Sequence, residues 1–291
     1  MLGEAFYRVF KERFDLKCTD KDVNADWLSL LDFRDFDNYE ADVKAFKPDF
    51  LFHLGAHTDL EFCEVNVDDT YLTNTLAVEN AVYIANNLDV PLLYISTAGI
   101  FDGTQQLYDD WDQPNPLGHY ARSKYVGERF VAENARRYIA CRAGWMMGGG
   151  PEKDKKFINK LIKQLVKGQR ELFIVNDKDG TPTFAVDFAR NVELLFEKEH
   201  WGVYNLVCRG QASRMEVARE LVEILALTDR VKLTEVTSDY FKDVYFAERP
   251  PCERLINKKL ELRNLNLMRD WRVALREYID LYFADYLADK F

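Results

Sequence analysis

Apolar and polar positions keep two rhythms along the first half of this chain. Continuous apolar runs bounded by turn residues occur at "DFLFHLGA" (49–56) and "PLLYIST" (91–97), the pattern of strands buried on both faces. "DLKCT" reads as a strand ending at Asp20, and "RYIACRAGW" (137–145) as another. Longer segments with helical spacing lie between them, at "DDTYLTNTLAVENAVYIANNL" and "LGHYARSKYVGERFVAENA" (117–135). Strands that alternate with helices predict βαβ units and a parallel sheet.

The rhythm changes at "MMGGGPEKDKK", where three glycines and a proline break the chain after Trp145. A helix "FINKLIKQLVKG" and a strand "ELFIV" follow. Later come "VYNLV", the helix "RMEVARELVEILAL" and "RVKLTEV". A last amphipathic helix carries Trp271, Leu275, Tyr278 and Tyr282 on one stripe. The expected organisation is a dinucleotide-binding half over 1–150, to which 176–200 returns, and a smaller α/β lobe from 151–175 and 201–291. No repeat or low-complexity tract interrupts it.

Composition narrows the class. The 291 residues are 47% hydrophobic and 30% charged, with a formal net charge of -10. That is a soluble globular profile with ample core, and it argues against nucleic acid or an anionic membrane as partner. Five scattered cysteines and four scattered histidines show no metal-ligand spacing, so no metal is expected and the thiols suit a reducing cytoplasm. No apolar run is long enough to span a bilayer, and the N-terminus, with Glu4 almost at once, has no signal-peptide architecture.

The candidate chemistry lies in "HYARSK" (119–124). Tyr120 and Lys124 are spaced to share one face of a helix. An ammonium beside a phenol favours the phenolate, so the pair is expected to act as a proton donor and its tuner. About one Tyr-x-x-x-Lys arises by chance in a chain of this composition, and Tyr7–Lys11 and Tyr286–Lys290 repeat the spacing. Position separates them. Ligands of open α/β sheets bind beyond the carboxyl ends of the strands, where Ala56, Thr97 and Trp145 stand, and Tyr120 opens the helix that follows the Thr97 loop. Taken singly, Thr97 also reads as a turn cap, Trp145 as a core aromatic and Asp20 as a turn residue.

With these residues in place, the chain resembles the extended short-chain dehydrogenase/reductases, and among them the dTDP-4-dehydrorhamnose reductase family. "PDFLFHLGAHTDLEFCE", "LTNTLAVENAVYIA", "YISTAGIFDG", "PNPLGHYARSKYVGE", "CRAGW", "DGTPTFAVDFAR", "RPPCERLINKKL" and "DWRVALREYI" match the family's segments in order. The resemblance implies a Rossmann-like doubly wound parallel sheet and a reductase that uses NAD or NADP on a nucleotide-linked 4-keto sugar. It implies that Tyr120 protonates the oxygen formed at C4, that Lys124 holds the nicotinamide ribose and favours tyrosinate, and that Thr97 bonds the carbonyl oxygen. It places Gly3, Asp20, Lys21, Asp32, Phe33, Leu54, Gly55, Ala56 and Asn74 along the cofactor. An acid such as Asp20 favours NAD and a neighbouring Lys21 a 2′-phosphate, so both coenzymes stay open. Trp145 is expected to wall the sugar ring, and Arg249 and Arg254 to hold a diphosphate. A homodimer is compatible with the resemblance.

Two segments depart from the family pattern. The family opens with a strand and a G-x-x-G-x-x-G turn, of which only the third glycine, Gly3, is matched. The expectation is that the natural protein carries a strand and turn ahead of Met1. In "STAGIF", Ala98 and Gly99 replace the usual Asp-Tyr. Ala98 cannot serve as the acid a dehydratase needs, and the lost side chains are expected to leave room that shifts the sugar preference. Two rival readings are a non-catalytic regulatory or binding subunit with the same fold, as in the regulatory subunit of methionine adenosyltransferase, and a sugar-nucleotide epimerase.

Overall fold

Alternate residues of the central strands face opposite cores. The computed structural model describes residues 1–288 and Lys290. Its first five strands are β1 (Cys18–Asp20), β2 (Leu28–Leu30), β3 (Leu51–His53), β4 (Leu92–Thr97) and β5 (Tyr138–Ala143). Leu92 and Tyr94 of β4 and Ala140 of β5 pack into one cluster with Tyr39, Val82 and Val131. Leu93, Ile139 and Cys141 point the other way, into a larger cluster with Phe6, Val192 and Tyr278. This is the two-residue period of a strand with both faces covered, and it explains why the runs read as continuously apolar.

The later strands are β6 (Trp145–Met147), β7 (Glu171–Val175), β8 (Asp179–Gly180), β9 (Pro182–Phe184), β10 (Gly202–Asn205), β11 (Ala212–Ser213), β12 (Lys232–Val236) and β13 (Cys252–Glu253). The main sheet runs β10-β5-β4-β3, all parallel. Strand β10 thus belongs to it, although the sequence division puts 201–291 in the second lobe. Strands β1 and β2 form a separate parallel pair. Three small sheets, β12-β7, β6-β9 and β11-β8-β13, build the rest. With helices Phe36–Phe46, Ala77–Leu88 and His119–Asn134 on one face and Leu2–Phe10 and Ala185–Glu197 on the other, the fold is α/β and Rossmann-like. Among the described residues no helix is long and apolar enough to cross a membrane. The five cysteines are free.

Helix His119–Asn134 carries Tyr120 and Lys124, and it is docked by polar contacts. Its buried face includes Ala121, Ser123, Lys124, Gly127, Glu128 and Val131. Glu128 receives a bidentate Arg142 from β5, with Nε 3.1 Å from both carboxylate oxygens and an Nη 2.6 Å from Oε1. Both residues are buried. The Tyr94 hydroxyl donates to the Lys124 carbonyl at 2.8 Å. Gly127 permits the close approach, because a Cβ there would come within 2.9 Å of both the Asn74 carbonyl and the Tyr94 hydroxyl oxygen. At the helix start, Glu64 accepts from the His119 N–H at 2.7 Å, which satisfies a first-turn donor and places negative charge at the positive end of the helix.

Asn74 is the second fixture. It sits in a π-helical stretch, Leu72–Leu76, within the long helical run, a distortion common where a helix is bent to serve a site. The side chain accepts from the His57 N–H at 2.8 Å and donates to the His57 carbonyl and the Ser123 hydroxyl at 3.1 and 3.2 Å. Ser123 in turn donates to the Tyr120 carbonyl at 2.9 Å. The loop after β3 and the Tyr120 helix are therefore tied through one buried amide.

Breaking the Glu128–Arg142 pair on one side leaves a buried charge. Glu128→Ala is expected to destabilise by about 3–5 kcal/mol, and Glu128→Leu with Arg142→Met by much less, in urea denaturation. A double variant no more stable than Glu128→Ala would contradict this. Asn74→Ala strands backbone groups of His57 and is expected to lower the melting temperature by roughly 5–10 °C. A calorimetric scan that leaves the transition where it was would show that the amide ties nothing.

Candidate active site

Thr97 and Tyr120 meet at the carboxyl end of β4, and Lys124 lies one helical turn further on, against the Tyr94 ring of the same strand. Thr97 ends the strand, and its hydroxyl accepts from the Gly99 N–H at 3.2 Å, so it caps the Ala98–Ile100 turn and still faces the crevice. The Tyr120 phenol lies against it. Burial pushes that phenol up to about 12, with the Thr97 hydroxyl opposing and the Glu253 carboxylate adding to the rise. Lys124 is buried, and its ammonium is pushed down to about 7 by desolvation, against the pull of Glu128. Its Nζ stands 4.3 Å from the centroid of the Tyr94 ring.

Lys124 is not among the causes of the Tyr120 shift, which is dominated by burial. The ammonium faces the Tyr94 ring and Glu128, and desolvation dominates the phenol. Tyr120 is held protonated, as a proton donor must be. Neighbouring His53 is pushed down to about 3 by burial and then by Lys124, and so is neutral.

The positions expected along the cofactor follow β1, β2 and β3, the first two of which pair apart from the main sheet. Asp20 ends β1 and, like Lys21, is exposed; one of its carboxylate oxygens accepts from the Asp22 N–H at 3.0 Å. Asp32 follows β2, but Arg34 holds its carboxylate by backbone and side-chain bonds, and the same bonds lower its pKa. Arg34 continues to Asp69 at 2.9 Å, and Asp69 to His57 Nε2 at 2.9 Å. The Phe33 ring lies on the Leu54–Gly55–Ala56 backbone so closely that a Cβ at Gly55 would be 2.2 Å from its Cε1. Gly3 lies in the first helix as expected, but without the close packing expected of it. A Cβ there would meet no heavy atom within 4 Å.

The positions assigned to the substrate depart further from expectation. Trp145 opens β6 beside the site. The Arg214 guanidinium stands 3.6 Å from its ring centroid, and a Cβ at Gly180 would come within 2.2 Å of its Cε2. A cation therefore covers part of the apolar wall the sequence predicts. Arg249 is paired with Glu61 at 2.8 Å, and Arg254 with Asp179 at 3.0 Å. Each arginine brings its own carboxylate, which offsets the charge a diphosphate would need. The room expected at Ala98–Gly99 is also taken. A Cβ on Gly99 would sit 3.2 Å from Glu253 Oε1 and 3.5 Å from Thr97 Oγ1, and Glu253 Oε2 accepts from Trp145 Nε1 at 2.8 Å.

Sequence reasoning passed over Arg214, Lys156 and Glu253. Arg214 makes no ion pair among the described residues, and desolvation lowers it to about 10, with Arg249 pushing the same way. Lys156 is lowered by burial, and Arg214 is among the cations that add to this; its Nζ donates to the Thr58 carbonyl at 3.1 Å. Glu253 lies inside "RPPCERLINKKL", and that segment's resemblance to the family was the one signal available. Among the described residues no group of three His, Cys, Asp or Glu could hold a metal ion.

Comparison with known proteins agrees with this geometry. The spore coat polysaccharide biosynthesis protein SpsK of Bacillus subtilis (strain 168) is 28% identical over 235 residues, 80% of each chain. The dTDP-4-dehydrorhamnose reductase of Escherichia coli (strain K12) is 27% identical over 266 residues, 86% of each chain. The crystal structure of dTDP-4-dehydrorhamnose reductase from Bacillus anthracis str. Ames in complex with NADP superposes with a TM-score of 0.87 at 25% identity, over 96% of this chain and 95% of that one. The family profile described as RmlD substrate binding domain matches residues 1–283. The chain thus belongs to the RmlD substrate binding domain family.

Proposed function

We propose that this chain is an NADH- or NADPH-dependent reductase of a nucleotide-linked 4-keto sugar. The contact of Tyr120 with Thr97 at the end of β4, with Lys124 buried one turn along the same helix, carries the reading, in a chain whose relatives include named reductases of such a sugar. Residues 1–150 with 176–200 are read as the dinucleotide-binding half, and 151–175 with 201–291, apart from β10, as the substrate lobe.

The residues present fit a nicotinamide dinucleotide. Lys124 is a buried cation that makes no ion pair among the described residues, suited to the hydroxyls of a ribose. Asp20 and Lys21 are exposed at the end of β1, where an adenosine ribose or its phosphate would lie. Asp32, Phe33, Leu54, Gly55 and Ala56 line the way between, and Asn74 fixes the loop beneath. The reduced cofactor, when bound, supplies the hydride, since no side chain can.

The chain's own groups do the rest. The Thr97 hydroxyl and the Tyr120 phenol are placed to donate to one carbonyl oxygen, where negative charge develops as the ketone is reduced. Tyr120 then yields its proton to that oxygen. Burial keeps the phenol protonated until that oxygen takes the proton. Arg214 and Lys156 are the cations best placed for the diphosphate, with Arg249 and Arg254 contributing where substrate oxygens replace their carboxylate partners.

Tyr120→Phe removes only the hydroxyl. Turnover of a 4-keto nucleotide sugar is expected to fall by about a hundredfold or more, with NADPH affinity retained and Tyr7→Phe as the control. Near-wild-type turnover in Tyr120→Phe would remove it as the proton donor. Coenzyme binding with no turnover of any keto sugar by the wild type would favour the non-catalytic subunit.

Lys124 also predicts a pH dependence. Its ammonium titrates at about 7 in the fold and at 10.5 when unfolded. The unfolded state therefore binds more protons between these values, and stability contributed by this site rises with pH from about 7 towards 10.5. Lys124→Met is expected to remove that rise. Urea denaturation at pH 7, 8 and 9 compares the two proteins, and parallel curves would show that Lys124 is not held below its ordinary value.

A further inference from the structure

Glu253 is a carboxylate beside Thr97 and Tyr120 that the reduction described above does not use. It comes from β13, on a different sheet from Thr97, and reaches the turn after β4. The Trp145 Nε1–H fixes Oε2 at 2.8 Å. Oε1 points into the space that Gly99 leaves: a single methyl on Gly99 would touch both Oε1, at 3.2 Å, and the Thr97 hydroxyl, at 3.5 Å. One carboxylate oxygen and one hydroxyl of the reacting centre therefore border the same small volume. The Glu253 charge also reaches the phenol of Tyr120 and the guanidinium of Arg214, so the carboxylate lies among the catalytic and substrate groups. Among the described residues it makes no ion pair, and its only side-chain hydrogen bond is the one from Trp145.

We propose that Glu253 selects the sugar: its Oε1, seated in the space left by Gly99, accepts a hydrogen bond from a hydroxyl or amino group of the substrate beside the reacting carbonyl. The preferred substrate class is then a nucleotide-linked keto sugar with such a donor at that position, in place of a methyl or methylene. This rests on the reductase reading above and goes on to name the substrate feature that the site recognises. A carboxylate is an acceptor only. Covered by a substrate that offers a methyl there, it would lose water and gain no partner. Sites built to bond a hydroxyl or amine discriminate far more strongly against the analogue lacking it than apolar pockets do among isosteres. The Ala98–Gly99 change is thus half of a pair. The turn gives up its side chains, and β13 supplies a charged one in the same volume.

Calorimetric binding of nucleotide sugars, which needs no turnover, tests this with matched dTDP-hexoses that differ by one hydroxyl against hydrogen at successive ring and exocyclic carbons. In the wild type at least one hydroxylated member is expected to bind about a hundredfold more tightly than its deoxy partner. In Glu253→Ala that ratio falls towards one. In Gly99→Ala, whose methyl displaces Oε1, it falls as well. Melting temperatures establish that each variant is folded. A ratio that survives both substitutions overturns the inference and leaves the reductase reading standing, as does a wild type that binds the deoxy member equally well. A folded wild type that binds no nucleotide sugar overturns both.

Discussion

The buried pair of Glu128 and Arg142 is the constraint on which the site depends. Helix His119–Asn134 turns a charged face to the sheet, so the hydrophobic effect alone does not dock it. Bidentate geometry on a carboxylate, with the remaining guanidinium Nη 3.4 Å from the Asp110 carbonyl, satisfies the groups that burial strips of water. The pair joins the helix to β5 and fixes its rotation. With that rotation set, Lys124, one turn earlier, is carried under the Tyr94 ring, and Tyr120, a further turn back, beside Thr97. The same Glu128 draws Lys124 back towards the charged form.

Desolvation sets the chemistry more than charge pairing does. Tyr120 rises and Lys124 falls, both chiefly through burial. A motif on a helix face invites the thought that neighbours tune each other. Here each answers first to its surroundings, because the two side chains leave the helix towards different partners. The outcome suits reduction: a phenol that keeps its proton until an alkoxide forms, and a lysine whose charge depends on what lies beside it.

The substrate side is built by exchange across sheets. Arginines that look available in the sequence arrive already paired, Arg249 with Glu61 and Arg254 with Asp179. Arg214, which opens a helix behind an ordinary Ser213 capping box, stacks on Trp145 and faces the crevice. Small residues after Thr97 do not open a hollow, since a carboxylate from β13 fills it. Changes that look like losses in one segment are answered by a segment more than 150 residues away.

What the sequence determined by itself is what short-range physics controls. Buried apolar runs and helical periods marked β3, β4, β5 and helix His119–Asn134 within a few residues, because both depend on local repeat. The end of β4 located Thr97 and, through the helix that follows, Tyr120, because in a parallel sheet the strand ends share one edge; Trp145, expected at the end of a strand over 137–145, instead opens β6 in another sheet. Strand β10 was harder to place, since its assignment rests on pairing with β5. Protonation states, the engagement of Asp32, Arg249 and Arg254, and the arrival of Glu253 at Gly99 were decided by tertiary structure alone. Each is a matter of which groups burial brings within a few ångströms, and those groups lie far apart along the chain.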